Sequence, residues 1–240
     1  MRRFDSSVSL RGLLSGENRK PTVILLWAPL VLTTWRYYVA GSLFPGQPGS
    51  PTAVLGNLTQ ASELYAFLSS FVLLGLVSLA IVKLVFREPL ASYGLAIGDW
   101  RFGLKAVAVT APVILLLSAL AARAPAFRAQ YPLYGGACGS ASAFLVHATA
   151  YLAYYAGFEI FFRGFVQFGL RERLGDVYAI LVQTGLSCLV HIGKPSGEIY
   201  GAIVGGLAFG IVAFRSRSLL YVILAHWVLG VALDLFICLS

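Results

Sequence analysis

Long apolar stretches follow one another along almost the whole chain, and they constrain the fold more than any other feature. A helix that crosses a bilayer needs about 20 consecutive, mostly apolar residues. We predict seven such helices, near residues 22–43, 62–85, 103–122, 140–170, 176–193, 197–214 and 218–239. Hydrophobic residues make up 58% of the sequence and charged residues only 12%, a balance that soluble globular proteins do not show. The sequence therefore predicts an all-α, polytopic transmembrane helix bundle.

The basic residues are concentrated in alternate loops between these predicted helices. The loops that would lie on one side contain Lys83, Arg87, Arg101, Lys105, Arg171, Arg173, Arg215 and Arg217. Cytoplasmic loops carry an excess of Lys and Arg, so we predict that these loops are inside. Residues 1–21 then form a cytoplasmic tail, because they are basic and lack the apolar region of a secretory signal. Residues 22–240 form one transmembrane bundle with its N-terminus inside and its C-terminus outside.

The net charge of +8 is accounted for by this loop pattern. Basic stripes with interleaved aromatic residues do not accompany it in the sequence, so we predict no nucleic-acid partner. The cysteines, Cys138, Cys188 and Cys238, are odd in number and show no CxxC spacing. We therefore expect small buried hydrophobic residues, and neither a disulfide framework nor a zinc site follows from them.

Glycines recur at four-residue spacing in the predicted helix 197–214. They are Gly197, Gly201 and Gly205, with Gly206 and Gly210 repeating the spacing. Small residues at this spacing let two helix backbones approach closely in a membrane. The pattern predicts a helix face that packs closely against a neighbour.

Two charged side chains interrupt the apolar run YAGFEIFFRG at residues 155–164. A charge at mid-bilayer depth costs roughly 2.5–3.5 kcal/mol on insertion scales, so such residues are usually functional and have partners. Glu159 and Arg163 are four residues apart, which places them on one face of a helix and allows an ion pair. A purely structural ion pair is therefore one interpretation of these two residues.

Two histidines are predicted to reach the same middle third of the membrane. Glu159 lies about 16 Å from the inner end of its helix, His226 about 12 Å and His191 about 22 Å. One carboxylate and two imidazoles can activate water, protonate a leaving amine and stabilise an oxyanion. The same three side chains could instead bind zinc, although the sequence has no HExxH helix. The pattern indicates hydrolysis, with a zinc hydrolase as the alternative.

The remaining polar residues of the predicted spans have simpler interpretations. Asp234 and Lys194 lie about 24 and 27 Å from the inner ends of their helices, so they could pair near the outer surface. His147 is about 18 Å along the helix from Glu159, and we interpret it as a hydrogen-bonded helix contact. Arg36 lies near one end of the first span and can extend its charge to the interface.

Three short motifs within residues 140–236 carry a family resemblance. They are FEIFFRG at 158–164, SCLVH at 187–191 and HWVLG at 226–230. They resemble the motifs of the CAAX-protease and bacteriocin-processing (CPBP, Abi-type) intramembrane endopeptidases. In that family these motifs are two adjacent glutamates followed after three residues by arginine, then Phe-x-x-x-His, then His-x-x-x-Asn/Asp. This chain differs at three of the positions, where it has Phe158, Ser187 and Gly230.

The resemblance implies an intramembrane glutamic endopeptidase that needs no metal and no other cofactor. By that resemblance, Glu159 and His191 would polarise a water, Arg163 would orient Glu159, and His226 would donate to the oxyanion. Asp234 would take the place of the third-motif Asn/Asp, or would support the site together with Lys194. The substrate would be a prenylated peptide, a leader peptide or another membrane protein. The resemblance also implies a multi-pass protein of the cell membrane, in bacteria the inner membrane.

The difference at Phe158 leaves two interpretations open, because the family's water-activating base is usually assigned to the first glutamate of the pair. Either Glu159 serves as the only catalytic acid, or the chain is an inactive relative that acts as a binding scaffold or immunity protein. A transport protein is a further alternative, since intramembrane charges also mark transport pathways. The oligomeric state does not follow from the sequence.

Overall fold

The structure, a computed structural model, describes residues 9–40 and 59–240. Within these ranges every regular element is helical and there is no β-strand. The α-helices are α1 (Leu10–Leu13), α2 (Arg19–Thr34), α3 (Thr59–Ser70), α4 (Val77–Ala80), α5 (Trp100–Ala121), α6 (Pro125–Gln130), α7 (Ala141–Glu159), α8 (Gly169–Val190), α9 (Ser196–Ser216) and α10 (Leu220–Cys238). The π-helical segments Trp35–Val39, Phe71–Leu76, Ile81–Phe86 and Ile160–Phe168 extend or join them. The prediction of an all-α bundle is confirmed.

Helices occupy the described part of every predicted span, and four of them are long and apolar enough to cross a membrane. These four are Glu63–Phe86, Trp100–Ala121, Ser196–Ser216 and Leu220–Cys238. The last three residues of the predicted span 22–43 and the first eight of the predicted tail lie outside the described residues. The predicted number of seven spans and the inside position of the N-terminus stay predictions.

Local signals explain where the helices of the site begin and end. Asp99 caps α5 by accepting a hydrogen bond of 3.0 Å from the backbone of Phe102, and Ser140 caps α7 in the same way. Such caps satisfy amide groups that have no partner inside the helix. Gly175 interrupts α8 with a φ of 76°, a conformation that glycine adopts at little cost. This break separates the helices predicted at 140–170 and 176–193.

The loops that were predicted to lie inside come together at one end of the bundle, which we call the basic end. Lys20 contacts both Glu88, at 2.8 Å, and Glu172, at 3.7 Å. The backbone amide of Asp99 donates to the carbonyl of Ser216 at 2.7 Å. Loops that are far apart in sequence therefore meet here in the grouping that the charge pattern predicted.

A disulfide lies at the opposite end of the bundle. It joins Cys138 to Cys238, which are 100 residues apart in sequence. The expectation that all three cysteines are buried hydrophobic residues was wrong for these two, and only Cys188 is a free thiol. Sequence spacing could not reveal the bond, because the loop before α7 meets the end of α10 only through tertiary packing. We call this end of the bundle the disulfide end.

A long helix runs through α7 into the segment Ile160–Phe168, and it is buried around Glu159. Phe161, Phe162 and Phe165 are all 0% exposed. At Gly157 an added Cβ would lie 2.6 Å from the Cα of Phe71 on the neighbouring helix, so the two backbones touch there. The helix that carries Glu159 is therefore surrounded by protein, which fixes the position of its side chains.

The predicted glycine face of α9 packs closely at only two positions. An added Cβ at Gly206 would lie 2.8 Å from Thr184, and one at Gly210 would lie 2.7 Å from Gln167. At Gly201 and Gly205, by contrast, nothing lies within 4 Å. The close approach therefore involves Gly206 and Gly210, which face α8 and the segment Ile160–Phe168.

Candidate active site

The Glu159 carboxylate and the Arg163 guanidinium form the ion pair that their spacing predicted. Arg163 Nη1 donates to Glu159 Oε1 at 3.0 Å. The side chains are 0% and 2% exposed, respectively. Burial of two opposite charges is tolerated when they are paired and hydrogen-bonded.

His226 reaches the same carboxylate from α10. Its Nδ1 atom lies 2.6 Å from Glu159 Oε1. A carboxylate can only accept, so His226 donates from Nδ1 and the Nε2 atom is left for other chemistry. The His226 side chain is 15% exposed, whereas the second carboxylate oxygen, Glu159 Oε2, is buried without a hydrogen-bond partner. The cluster therefore presents an imidazole outward and keeps the carboxylate behind it.

Two aromatic rings enclose the buried guanidinium. The centroids of Phe158 and Phe209 each lie 5.7 Å from the Cζ atom of Arg163. Aromatic faces attract a desolvated cation, with a stabilisation of about 2 kcal/mol in favourable cases. These contacts help to hold Arg163, and through it Glu159, in one position.

Phe158 occupies the position of the missing first glutamate, and its ring lies beside both imidazoles. Its centroid is 5.4 Å from that of His226 and 6.0 Å from that of His191, edge to face in both cases. The residue is 2% exposed. A side chain at position 158 therefore lies beside both histidines.

The structure brings His191 to Phe158 but not to Glu159. His191 Nδ1 lies 2.6 Å from the carbonyl oxygen of Ser187, and its Nε2 lies 3.8 Å from Oε1 of Glu198. No hydrogen bond joins His191 to Glu159 among the contacts of the described residues. Direct cooperation of these two side chains on one water, as the resemblance implied, is not supported by this arrangement.

Glu198 belongs to a second polar group that the sequence analysis missed. It lies in the first turn of α9, and its Oε2 accepts a 2.6 Å hydrogen bond from the Tyr131 hydroxyl. Lys194 donates to the same hydroxyl at 3.3 Å. Burial raises the pKa of Tyr131 well above its usual value, and the negative charge of Glu198 raises it further. The Tyr131 hydroxyl is therefore protonated at neutral pH and donates its hydrogen bond to Glu198.

Asp234 is bound to His147. Its Oδ2 atom lies 2.7 Å from His147 Nε2, and both side chains are 0% exposed. The structure places His147 beside Asp234, and the pairing of Asp234 with Lys194 that their depths allow stays a prediction. The interpretation of His147 as a hydrogen-bonded helix contact is confirmed.

Where the third family motif has Asn or Asp, this chain has Gly230, and Tyr155 occupies the space beside that glycine. A Cβ at Gly230 would collide with the Tyr155 hydroxyl. The Tyr155 ring lies 4.3 Å from the ring of His226, measured between centroids. The absence of a side chain at position 230 therefore makes room for a tyrosine next to the second imidazole.

A zinc site built from Glu159, His191 and His226 does not fit this geometry. In the described part of the chain, no three His, Cys, Asp or Glu side chains are grouped closely enough to hold a metal ion. In addition, Oε1 of Glu159 already accepts from both Arg163 and His226. The donor set that the zinc alternative requires is therefore not assembled.

Residues 140–232 match a family model described as type II CAAX prenyl endopeptidase, Rce1-like. The matched segment includes all three motifs of the resemblance and also Glu198, whereas Tyr131 and Asp234 lie outside it. Comparisons with curated proteins and with solved structures found no match. The predicted resemblance to the CAAX-protease family is confirmed for this segment.

Proposed function

Because the chain carries a domain of the CAAX-protease family over residues 140–232, we propose that it is an intramembrane endopeptidase. Its substrate would be a prenylated peptide, a leader peptide or another membrane-associated peptide. The protein is a membrane protein of a protease family. We propose in addition that it crosses a cell membrane several times.

The observation that carries the proposal is the contact of 2.6 Å between Glu159 and His226. Replacing a buried ion pair by apolar residues is often neutral or stabilising, so stability alone gives little reason to retain one. A carboxylate that fixes an imidazole tautomer is, by contrast, a common device of hydrolytic enzymes. The partial exposure of His226 beside a fully buried Glu159 supports the same role.

In the proposed mechanism the His191 imidazole acts as the general base and the His226 imidazole stabilises the oxyanion. Water attacks the carbonyl carbon of the scissile peptide while His191 Nε2 accepts one of its protons. In its imidazolium form, with Nδ1 donating to Glu159, His226 donates from Nε2 to the oxyanion. The proton that His191 accepted then passes to the leaving amine as the oxyanion collapses and the C–N bond breaks. Donation to an oxyanion is commonly worth 10²–10³-fold in rate.

Arg163 is a positioning residue in this mechanism. It donates to the same oxygen of Glu159 that His226 contacts, so it fixes the carboxylate at the back of the imidazole. It does not meet the reacting atoms. We therefore reassign Glu159 from water activation, which the family resemblance implied, to the orientation of His226.

The proposal is tested with membranes that contain the protein and a peptide whose prenylated cysteine is followed by three residues. A membrane-anchored leader peptide is the second probe. We expect cleavage of one probe by the wild type and its loss in His226→Ala. Glu172→Gln, at an acid that is 86% exposed, is the matched control and should cleave like the wild type. Cleavage by His226→Ala at the wild-type rate would contradict the proposal.

An inactive, substrate-binding relative is the second candidate, and the side chain at position 158 favours it. Phe158 places an apolar ring where the family has a carboxylate. Such a protein would bind the prenylated peptide without cleaving it, and His226→Ala would leave binding unchanged. Cleavage that depends on His226 excludes this candidate.

A further inference from the structure

A second carboxylate lies beside His191, and it comes from a different helix than the family motif uses. Glu198 Oε1 is 3.8 Å from His191 Nε2. The two side chains are 20% and 17% exposed, whereas Glu159 is 0% exposed. Of Glu159 and Glu198, Glu198 is therefore the acid that a water and a substrate can reach.

We propose that Glu198 is the water-activating base of this protein and replaces the glutamate that is absent at position 158. This inference rests on the proposed function. It assigns a catalytic role to a residue seven positions after His191, in the first turn of α9.

The geometry between Glu198 and His191 suits one water molecule. His191 donates from Nδ1 to the carbonyl of Ser187, so Nε2 of the neutral ring is an acceptor. The carboxylate of Glu198 is also an acceptor. Two acceptors 3.8 Å apart can each receive one hydrogen of a single water at the usual length of about 2.8 Å. The lone pairs of that water are then free to attack a carbonyl carbon.

The proton balance is complete with the groups present. The water oxygen forms a bond to the carbonyl carbon as one water proton moves to Glu198 Oε1, which takes over the proton-accepting role assigned above to His191. Protonated Glu198 then transfers that proton to the leaving nitrogen as the C–N bond breaks. His191 accepts a hydrogen bond from the other hydrogen of the water, which keeps the water oxygen oriented toward the carbonyl carbon.

Tyr131 and Lys194 hold Glu198 in position for this step. The Tyr131 hydroxyl donates to Oε2 at 2.6 Å, which leaves Oε1 directed at His191. Lys194 donates to that hydroxyl and lies over the Tyr131 ring at 4.9 Å from its centroid. The position of Glu198 in the first turn of α9 also suits the helix dipole, which favours a negative charge there.

Position 158 offers a direct test, because Phe158 already lies beside His191. Glu198→Gln should reduce cleavage by about 10²–10⁴-fold, the usual contribution of a general base. Adding Phe158→Glu to that variant should restore cleavage, since the new carboxylate would reach the same imidazole. Rates are measured per amount of protein in the membrane, on the peptide that the wild type cleaves.

Glu88→Gln is the matched control. Glu88 also accepts a 2.6 Å hydrogen bond from a tyrosine, Tyr93, and also pairs with a lysine, Lys20. It belongs to the basic end, away from the histidines. Its substitution removes the same kinds of contact and should leave cleavage within about twofold of the wild type, because it does not supply a general base.

The outcomes separate this inference from the proposed function. Wild-type cleavage by Glu198→Gln, together with loss in His226→Ala, would overturn the role of Glu198 and leave the proposed function standing. If Glu198→Gln is inactive and the double variant with Phe158→Glu, present at wild-type amounts, is inactive too, the replacement of one carboxylate by the other is wrong. Failure of the wild type to cleave either probe would count against both.

Discussion

Glu159 Oε1 and His226 Nδ1 lie 2.6 Å apart, although 67 residues separate these side chains in the sequence. The contact joins the end of α7 to the middle of α10. A buried carboxylate at this distance fixes the imidazole as a donor at Nδ1 and leaves Nε2 for substrate chemistry. Packing of the two helices thereby determines that His226 donates a hydrogen bond from Nδ1.

We predict that Glu159→Gln lowers cleavage about 10²–10³-fold per amount of protein present in the membrane. The amide retains the shape of the carboxylate but presents no negative charge to the His226 ring, so donation from His226 to the oxyanion is weakened. The measurement is the rate of peptide cleavage per amount of membrane protein. Unchanged cleavage by a well-expressed variant would show that the carboxylate is not needed.

The pair of Glu159 with Arg163 can be tested for a purely structural role. Removing one partner of a buried ion pair costs about 3–5 kcal/mol, so Arg163→Gln should be less stable than the wild type. We expect Glu159→Leu combined with Arg163→Met to regain thermal stability in detergent and to remain inactive. Recovery of cleavage along with stability would mean that the pair serves the fold alone.

Treatment with a strong chelator is expected to leave cleavage unchanged. The reason is that Glu159, His191 and His226 do not converge as a metal-binding group. The measurement compares cleavage before and after dialysis against the chelator. Loss of activity that zinc restores would favour the metalloprotease alternative.

The predicted topology can be measured with reporters that are active only outside the cell membrane. A reporter fused after Ser240 should be active, because that residue belongs to the disulfide end, where it accepts a hydrogen bond from Arg128. A reporter fused after Arg173 should be inactive, since basic loops remain in the cytoplasm. Disulfides persist in oxidising compartments, which agrees with this orientation. The opposite reporter pattern would reverse the prediction.

Asp234 is expected to act on stability through His147, and not on the chemical step. Asp234→Leu leaves a ring nitrogen of buried His147 without its hydrogen-bond partner and should cost about 1–3 kcal/mol. Pairing it with His147→Phe should recover most of that loss, as judged by thermal unfolding in detergent. If Asp234→Leu abolished cleavage without lowering thermal stability, Asp234 would instead stand in for the Asn/Asp of the third family motif.

Features that depend on one helix at a time could be predicted from the sequence. Hydropathy identified the helices, since apolar length is a local property. The ion pair of Glu159 with Arg163 followed from the helical repeat, because residues four apart always share a face. The motifs around His191 and His226 were found in the same way, from short local patterns, and both lie within the segment that matches the family model.

Contacts between helices were decided only by the tertiary structure. Depth along a helix can be counted from the sequence, but the direction in which a side chain points around the helix axis depends on how neighbouring helices pack. For this reason Glu159 and His191 were expected to share a water, whereas His191 faces Phe158 and Glu198. Tyr131 reaches Glu198 across 67 residues, and no local pattern could indicate that approach. The sequence determined which polar side chains interrupt the apolar helices and which of them share one helix face, and packing determined the partners that lie on other helices.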